Sequence, residues 1–506
     1  MVVPGVRTAV LLLPPNLKAQ LLQVDVPFYG QHWKLPNIAG SRWVTPGRPL
    51  LHVVAYTELS SPKNSDLLSK IRPDIIICDE AHSVRNRVAS RTKRFLRYFN
   101  ESPNTKLFCW SGTLTSRSLK DYAHLSSQAL AERSPVPNLY PVVEEWAASL
   151  DPSDFRKPSG ALLKLCRPGE KVVDAFRRRL VETPGVVASD DAEGCQASLY
   201  IRELKVETPK VINTMLEQLA ETNERPDGEQ LIDVLSVAKA ARQLSCGFYY
   251  RWRWPRKEAP EVIQKWLEVR KEWHKELRER LKHAGEHMDS PFLLTKAAIR
   301  WHDGYVHIER DEAGKEIARK QYPPHTRNGP MKTWDSEWWP EWKAVRDTAQ
   351  PETEAVWVDD FMVRAAAEWL KKAGLLWYEF RAFGQAVVEM SKATFCGPGE
   401  EGNQKLLTLT GTESCVISIR AHGTGKKLQM FNRNAVFNPP SSGTDWEQLL
   451  GRTHRTGQTE DEVTVEVVRN TQAMIDAVEK ARNLSEYISS TFGAEQKLAD
   501  KAKWEF

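Results

Sequence analysis

No C-x-x-C pair occurs among the seven cysteines, Cys78, Cys109, Cys166, Cys195, Cys246, Cys396 and Cys415, which argues against a zinc site. Several lie in strand-like apolar runs, the pattern of reduced, buried thiols in a cytosolic protein rather than of a disulfide framework. Long apolar runs are also missing. Ala9–Leu13 is too short for a secretion signal and stops at Pro14-Pro15, and nothing approaches the roughly 20 apolar residues of a membrane helix. The expected setting is therefore intracellular, in the cytoplasm, with no membrane partner. Nor is one sign of charge dominant: the net charge is +5. The excess is uneven, since Arg251 to His283 holds eleven Lys/Arg against six Glu. Such a stretch can meet phosphate or can be a solvated helix face. Internal repeats and low-complexity tracts are missing too. So is any G-x-x-x-x-G-K-[S/T] run. Gly423-Thr424-Gly425-Lys426 comes nearest, but Arg420 stands where a glycine is required and Lys427 where a hydroxyl is.

What remains is an ordinary globular composition, 41% hydrophobic and 27% charged over 506 residues, enough for two to four domains. Residues 1–130 alternate short apolar runs with polar helical stretches, the signature of parallel strands with crossover helices. Strands are expected at Ala9–Leu13, Leu51–Tyr56, Ile75–Cys78 and Leu107–Trp110. Residues 131–350 are dominated by helical, proline and tryptophan signals. Between Pro260 and Leu281 the apolar positions Val262, Trp266, Val269, Trp273, Leu277 and Leu281 recur at spacings of three and four. That is one stripe of an amphipathic helix, with Glu261–Lys265 and Glu276–Arg280 as supporting pairs. Tyr322–Trp342 reads as an irregular connector, and the cluster Phe248–Trp254 either fills a brace or stacks on bases. In residues 351–470 the alternation returns, with strands expected at Ala355–Val358, Cys415–Ile419, Ala435–Phe437 and Val463–Val468. Helices are expected at Asp360–Lys372 and Asp445–Leu450. Residues 471–506 read as a polar helical tail. The fold expected is α/β, two similar lobes separated by a mainly helical insertion.

Two blocks carry the chemistry. Asp79-Glu80-Ala81-His82 follows the apolar run Ile75–Cys78, so two carboxylates emerge at the carboxyl end of a buried strand, where open α/β sheets bind ligands. Gln448-Leu-Leu-Gly-Arg452-Thr-His454-Arg455-Thr-Gly-Gln458 sets two arginines three apart. They are expected at the head of a helix, on one face, as a polyphosphate would need.

With Pro15-Asn16-Leu17-Lys18, Thr57-Glu58-Leu59-Ser60, Ser111-Gly112-Thr113 and Gly423-Thr424-Gly425, these blocks resemble, in order, the motif set of superfamily two helicase-like ATPases. The H-R-x-G-Q ending, the run Ala81–Asn86 and the large insertion are similar to the Swi/Snf-type branch, compact members of which occur in phages and bacteria. The resemblance covers nearly the whole chain, loosely over 131–350. It implies two RecA-like parallel-sheet lobes in tandem: 1–130 with the D-E-A-H motif, 351–470 with the arginine fingers, 131–350 as insertion and brace, and 471–506 as a C-terminal tail. It implies ATP and Mg2+ as cofactors and double-stranded DNA as partner. Asp79 would serve the metal and Glu80 the attacking water. Arg452 and Arg455 would meet the phosphates, where a guanidinium suits the spread negative charge. His82, Ser111, Gly112, Thr113 and Gln448 would couple the lobes. Gly423, Thr424 and Gly425 would form a loop touching nucleotide and DNA, and Pro15, Asn16, Lys18, Thr57 and Ser60 would grip the DNA backbone.

In this family the phosphate cradle precedes the strand at Ala9–Leu13 in a unit of about 30 residues, whereas eight residues precede Ala9. The resemblance therefore carries the expectation of a missing first βα unit, an N-terminally truncated lobe, and weak or absent ATP turnover by the chain as written. Three readings stay open: a duplex-DNA translocase, an ATPase-deficient nucleic-acid-binding accessory module, and an RNA-unwinding D-E-A-H enzyme. The last fits the H-R-x-G-Q ending less well.

Overall fold

Consecutive apolar residues build two wholly parallel sheets. The computed structural model describes residues 5–42, 44–87, 89–112, 118–152, 159–187, 195–229, 231, 234–283, 290–310, 316–423 and 425–506. The first sheet uses β1 (Thr8–Leu13), β2 (Asn37–Ile38), β3 (Leu50–Ala55), β4 (Ile75–Asp79) and β5 (Lys106–Trp110). Its order is β2-β3-β1-β4-β5, every pair parallel. The four strands expected here fall within a residue or two of those observed. Val10, Leu12, Ile76 and Cys78 are fully buried and pack on Phe95 and Phe99 of the helix Ser90–Glu101. Among the described residues β5 ends the sheet, and its Phe108 and Trp110 side chains are 43% and 56% exposed.

The remaining strands, in chain order, are β6 (Ser198–Leu204), β7 (Phe248–Arg253), β8 (Tyr305–Arg310), β9 (Glu316–Tyr322), β10 (Glu352–Trp357), β11 (Gly374–Tyr378), β12 (Thr394–Cys396), β13 (Ser414–Ser418), β14 (Arg433–Val436), β15 (Glu462–Val468) and β16 (Ala502–Glu505). Seven of them form the second sheet in the order β12-β13-β11-β14-β15-β6-β16, again parallel throughout. This sheet draws on residues outside 351–470: β6 comes from the insertion and β16 from the tail. The tail is thus a helix, Gln472–Phe492, followed by a turn and a strand rather than helix throughout.

Three expectations need correction. Ala355–Val358 lies in β10, which pairs antiparallel with β7 outside the large sheet. Its alternation with Glu352 and Glu354, which meet Arg253 and Arg251 at 2.6 Å each, suits a two-strand ribbon with one wet face. The interior strand at that point of the chain is instead β11, third of seven in the sheet, which sequence periodicity missed. Its five apolar residues follow a helix ending at Trp369 after only a short turn, and so short a run does not distinguish strand from helix. The long helix does form, over Pro260–His283, burying Trp266, Val269, Trp273 and Leu277. Glu276, however, turns inward and accepts hydrogen bonds from Ser336 Oγ (2.8 Å) and the backbone amides of Glu337 and Trp338. The aromatic cluster at Phe248 packs: Trp252 meets Trp266 at 5.9 Å, and Arg270 lies over the Trp252 ring.

A buried polar link fixes the middle of the second sheet. Trp377 Nε1 donates to Asn434 Oδ1 (3.2 Å), and Asn434 Nδ2 donates to Thr453 Oγ1 (3.2 Å) on the helix Gly443–Thr453. Trp377→Ala is expected to destabilise the protein by about 3–5 kcal/mol, through the cavity and the orphaned Asn434 amide. A urea-denaturation midpoint unchanged from that of the parent chain would refute this.

Candidate functional site

The first block sits at the carboxyl end of β4, whereas the second lies at the amino ends of β15 and β6, where the Leu428 amide donates to the Arg452 carbonyl and His454 Nε2 to the Ala197 carbonyl. β4 ends in Asp79, whose backbone carbonyl accepts a hydrogen bond from the buried Tyr56 hydroxyl (2.9 Å). Glu80 then adopts a left-handed conformation (φ 52°), unfavourable for a residue with a Cβ by about 1–3 kcal/mol. His82 Nδ1 lies 3.2 Å from Glu80 Oε2 and 3.3 Å from Ser111 Oγ, and Ser111 Oγ donates to Glu80 Oε2 at 3.5 Å. On its other side, His82 Nε2 meets Gln448 Nε2 at 3.5 Å. With that amide donating, Nδ1 carries the ring proton and donates to Glu80. One imidazole thus joins the first sheet's carboxylate to the second sheet's helix.

That helix is capped by Ser442 Oγ, which accepts from the Asp445 amide. Trp446, Leu449, Leu450 and Thr453 are buried along one stripe, which leaves Gln448 and Arg452 on another. The arginines therefore stand at the tail of this helix and not at its head. Arg452 is in the last turn, and Arg455 follows the end at Thr453. Arg452 Nε donates to the Gln448 carbonyl (2.7 Å), and its Nη1 donates to the Lys426 carbonyl (3.3 Å). Cations at a helix carboxyl end are favoured by the macrodipole.

A cleft of about 550 Å³ opens between the sheets, lined by Glu80 and Gly112 on one side and by Gln448, Arg452 and Arg455 on the other. Such a volume suits a cofactor-sized ligand. A larger depression, about 710 Å³, lies at the amino ends of the first sheet's strands around Asp74 and Tyr98. Asp74 there already accepts from the amides of Arg7 and Thr8, and no carboxyl-end loop reaches it, so the chemistry belongs to the smaller cleft. Burial raises the Glu80 carboxyl, but His82, the Arg452 charge and the Ser111 hydroxyl outweigh it and hold Glu80 below the usual range. Burial, then the Glu80 charge, pushes Asp79 up. Burial, then Arg455, pushes Arg452 down to about 10, still charged at neutral pH. The two adjacent carboxyls are thus shifted in opposite directions by different neighbours.

The other sequence-derived residues are partly brought together. Asn16 Nδ2 donates to the Ala421 carbonyl (3.1 Å), and Lys426 Nζ donates to the Asn16 carbonyl (3.2 Å). The helix starting at Pro15 therefore touches the loop after β13. Gly425 (φ +72°) leaves no room for a side chain, since a Cβ would stand 2.0 Å from Leu17 Cδ2. Gly423 closes the short helix Ile419–His422. Lys18 pairs with Glu58 at 2.6 Å, Ser60 Oγ donates to the Tyr56 carbonyl, and Thr57 is exposed on the same short helix. Thr113 and Thr424 lie outside the described residues. Sequence reading missed Glu447 and three lysines, Lys497, Lys501 and Lys503, which also line the cleft. No spacing announced them, because the tail had to fold back to place them there.

His124 anchors the acidic loop from behind. Its Nε2–H donates to the Val84 carbonyl (2.9 Å), while Nδ1 is buried without a partner. Burial pushes its pKa down to about 4 from 6.5. The unfolded chain therefore takes up this proton first. The neutral ring's contribution is complete above pH 6.5 and is lost as pH falls towards 4, by an amount on the order of 3 kcal/mol. His124→Gln is expected to flatten the pH dependence of the urea midpoint between 6.5 and 4, and an unchanged slope would contradict the assignment.

Among the described residues no helix is long and apolar enough to cross a membrane, and no group of three or more His, Cys, Asp or Glu is placed to hold a metal ion. Neither a scan against protein-family models nor a search of curated proteins finds a match for the chain.

Proposed function

We propose that the chain is an ATP-driven motor of the Swi/Snf type, hydrolysing ATP between two RecA-like lobes to move along double-stranded DNA, with turnover expected to be weak because its sequence holds no G-x-x-x-x-G-K-[S/T] run. The observation that carries this reading is the path Glu80–His82–Gln448 across the cleft, with Arg452 and Arg455 on the far wall. Phosphoryl transfer asks for positioned water and neutralised charge rather than covalent chemistry. Glu80, kept ionised, accepts a hydrogen bond from the attacking water and orients it. Arg452 and Arg455 stabilise charge on the phosphoryl oxygens. His82 transmits the state of the Glu80 carboxylate to the second sheet's helix, so that turnover moves one sheet against the other.

The residues fit Mg2+. Asp79 offers a hard oxygen donor at a strand end, and its neighbour Glu80 raises an electrostatic cost that a divalent cation offsets. Asp79 would hold the ion through its water shell, and the ion, when bound, supplies neutralisation of the phosphate charge.

DNA as partner is supported by the cations at the carboxyl ends of β11 and β13, where Lys239, Arg381 and Arg420 line a depression of about 420 Å³ beside Tyr250 and Phe380. Asn16, bonded to Ala421 and Lys426, extends this surface towards the first sheet. Such contacts give affinity without reading sequence.

The test compares ATP hydrolysis with and without duplex DNA for the unaltered chain and for Glu80→Gln. DNA-stimulated turnover that disappears in the variant supports the motor. Duplex binding without turnover by either protein replaces it with the accessory module, and stimulation by RNA but not DNA replaces it with the RNA enzyme.

A further inference from the structure

The cleft has a wall that this chemistry does not use. Residues Lys497–Lys501 make one π-helical turn and lead into β16, which pairs with β6 at the rim of the second sheet. The segment is firmly held. Leu498 is fully buried and its carbonyl accepts from Trp504 Nε1 (3.1 Å), the Gln496 amide donates to Asp500 Oδ2 (2.7 Å), and the Lys497 amide donates to Glu447 Oε2 (2.5 Å). A π turn in a short segment is uncommon and is found disproportionately at functional sites. Its result here is that Lys497, Lys501 and Lys503 all reach the cleft that Arg452 and Arg455 enter from the helix end.

The lining is strongly cationic, with these five side chains set against the carboxylates of Glu80 and Glu447. Lys497 Nζ lies 3.4 Å from Glu447 Oε1 and Lys501 Nζ 2.7 Å from Glu495 Oε2. Among the described residues Lys503 has neutral partners, donating to Ser198 Oγ (3.2 Å) and Tyr200 Oη (3.5 Å). The field is felt at His454, which burial and then Lys497 and Lys501 push down, and whose Nδ1 is buried without a partner. A cavity of this size with cations contributed by two adjoining elements, the helix end and the strap, matches an elongated polyanion better than a single phosphate.

We infer that the C-terminal strap, residues 497–503, is the second wall of a polyphosphate-binding cleft, with Lys501 and Lys503 taking the oxygens of a chain of phosphates whose other side meets Arg452 and Arg455. This rests on the nucleotide reading of the site and assigns the anionic part of that ligand to residues outside every motif. Lys497 braces the wall by neutralising the buried Glu447 carboxylate.

The probe is inorganic tripolyphosphate, titrated against the full 506-residue chain by calorimetry. Lys501→Ala/Lys503→Ala is expected to weaken binding on the order of tenfold or more and to lower its salt dependence, as loss of two partly exposed charge-assisted contacts implies. Lys501→Arg/Lys503→Arg should restore binding. The control Lys70→Ala/Lys371→Ala removes the same charge at exposed, distant positions and should stay within about twofold. The inference is overturned if the strap variant binds as tightly as the unaltered chain, if the control loses as much, or if the unaltered chain does not bind tripolyphosphate. Glu80→Gln is read by ATP turnover and not by tripolyphosphate binding. A strap failure that leaves the Glu80 effect on turnover intact therefore strikes the strap alone, and the converse strikes the motor alone.

Discussion

Glu80→Gln is expected to lower DNA-stimulated ATP turnover by about 10²–10⁴-fold, the range typical of a positioned acid–base group. The change is nearly isosteric and keeps an oxygen facing His82, so it removes the carboxylate charge and little else. Glu80 is held ionised by the His82 ring, Arg452 and Ser111 against the cost of burial, and a neutral amide needs none of that support. Binding of nucleotide should therefore persist while the chemical step fails, which single-turnover measurement separates even when the parent rate is low. Because the His82, Arg452 and Ser111 contacts outweigh the desolvation cost, the variant is expected to lose some stability, which a urea midpoint reads apart from the rate. Equal single-turnover rates for variant and parent would remove Glu80 from the mechanism.

Arg455→Ala should cost more, about 10³–10⁵-fold in turnover, the magnitude of a guanidinium withdrawn from a phosphoryl-transfer transition state. Arg452 is less clean to test. It is tied to the Gln448 and Lys426 carbonyls, so its loss also disturbs the end of its helix. Arg455, in the turn beyond Thr453, lines the cleft beside Arg452, and after burial its like charge is what pushes Arg452 down. Removing Arg455 should relieve that repulsion and leave the thermal midpoint unchanged or slightly higher. Arg455→Lys should recover only part of the rate, because an ammonium cannot reproduce the planar fork. Full activity in either variant would exclude Arg455 from the reaction.

Much of this site could be read in the sequence, for a physical reason: ligand-facing groups at strand ends are short linear blocks. The apolar run before Asp79 located β4, and the spacing of Gln448, Arg452 and Arg455 placed them near one another. Their position relative to the helix was misjudged because apolar periodicity fixes a helix axis better than its ends, and the end at Thr453 has no glycine to mark it. Long-range assembly could not be read at all. β6 and β16 lie roughly 300 residues apart in sequence yet pair in register, Ala502 with Leu199 and Trp504 with Ile201, and nothing local specifies that partnership. The same holds for Lys501 and Lys503, which are ordinary solvated lysines until the strap closes.

The bare margin of the first sheet has its own consequence. β5 runs straight into Ser111 and Gly112, and Ser111 helps hold the carboxylate that faces the cleft. Among the described residues that margin of β5 pairs with no further strand and lies beside the exposed rings of Phe108 and Trp110, the arrangement that templates another strand. A peptide zipped onto this seam would stiffen β5 and set the pitch of its exit, and so would reach Glu80 through Ser111 from a face outside the cleft.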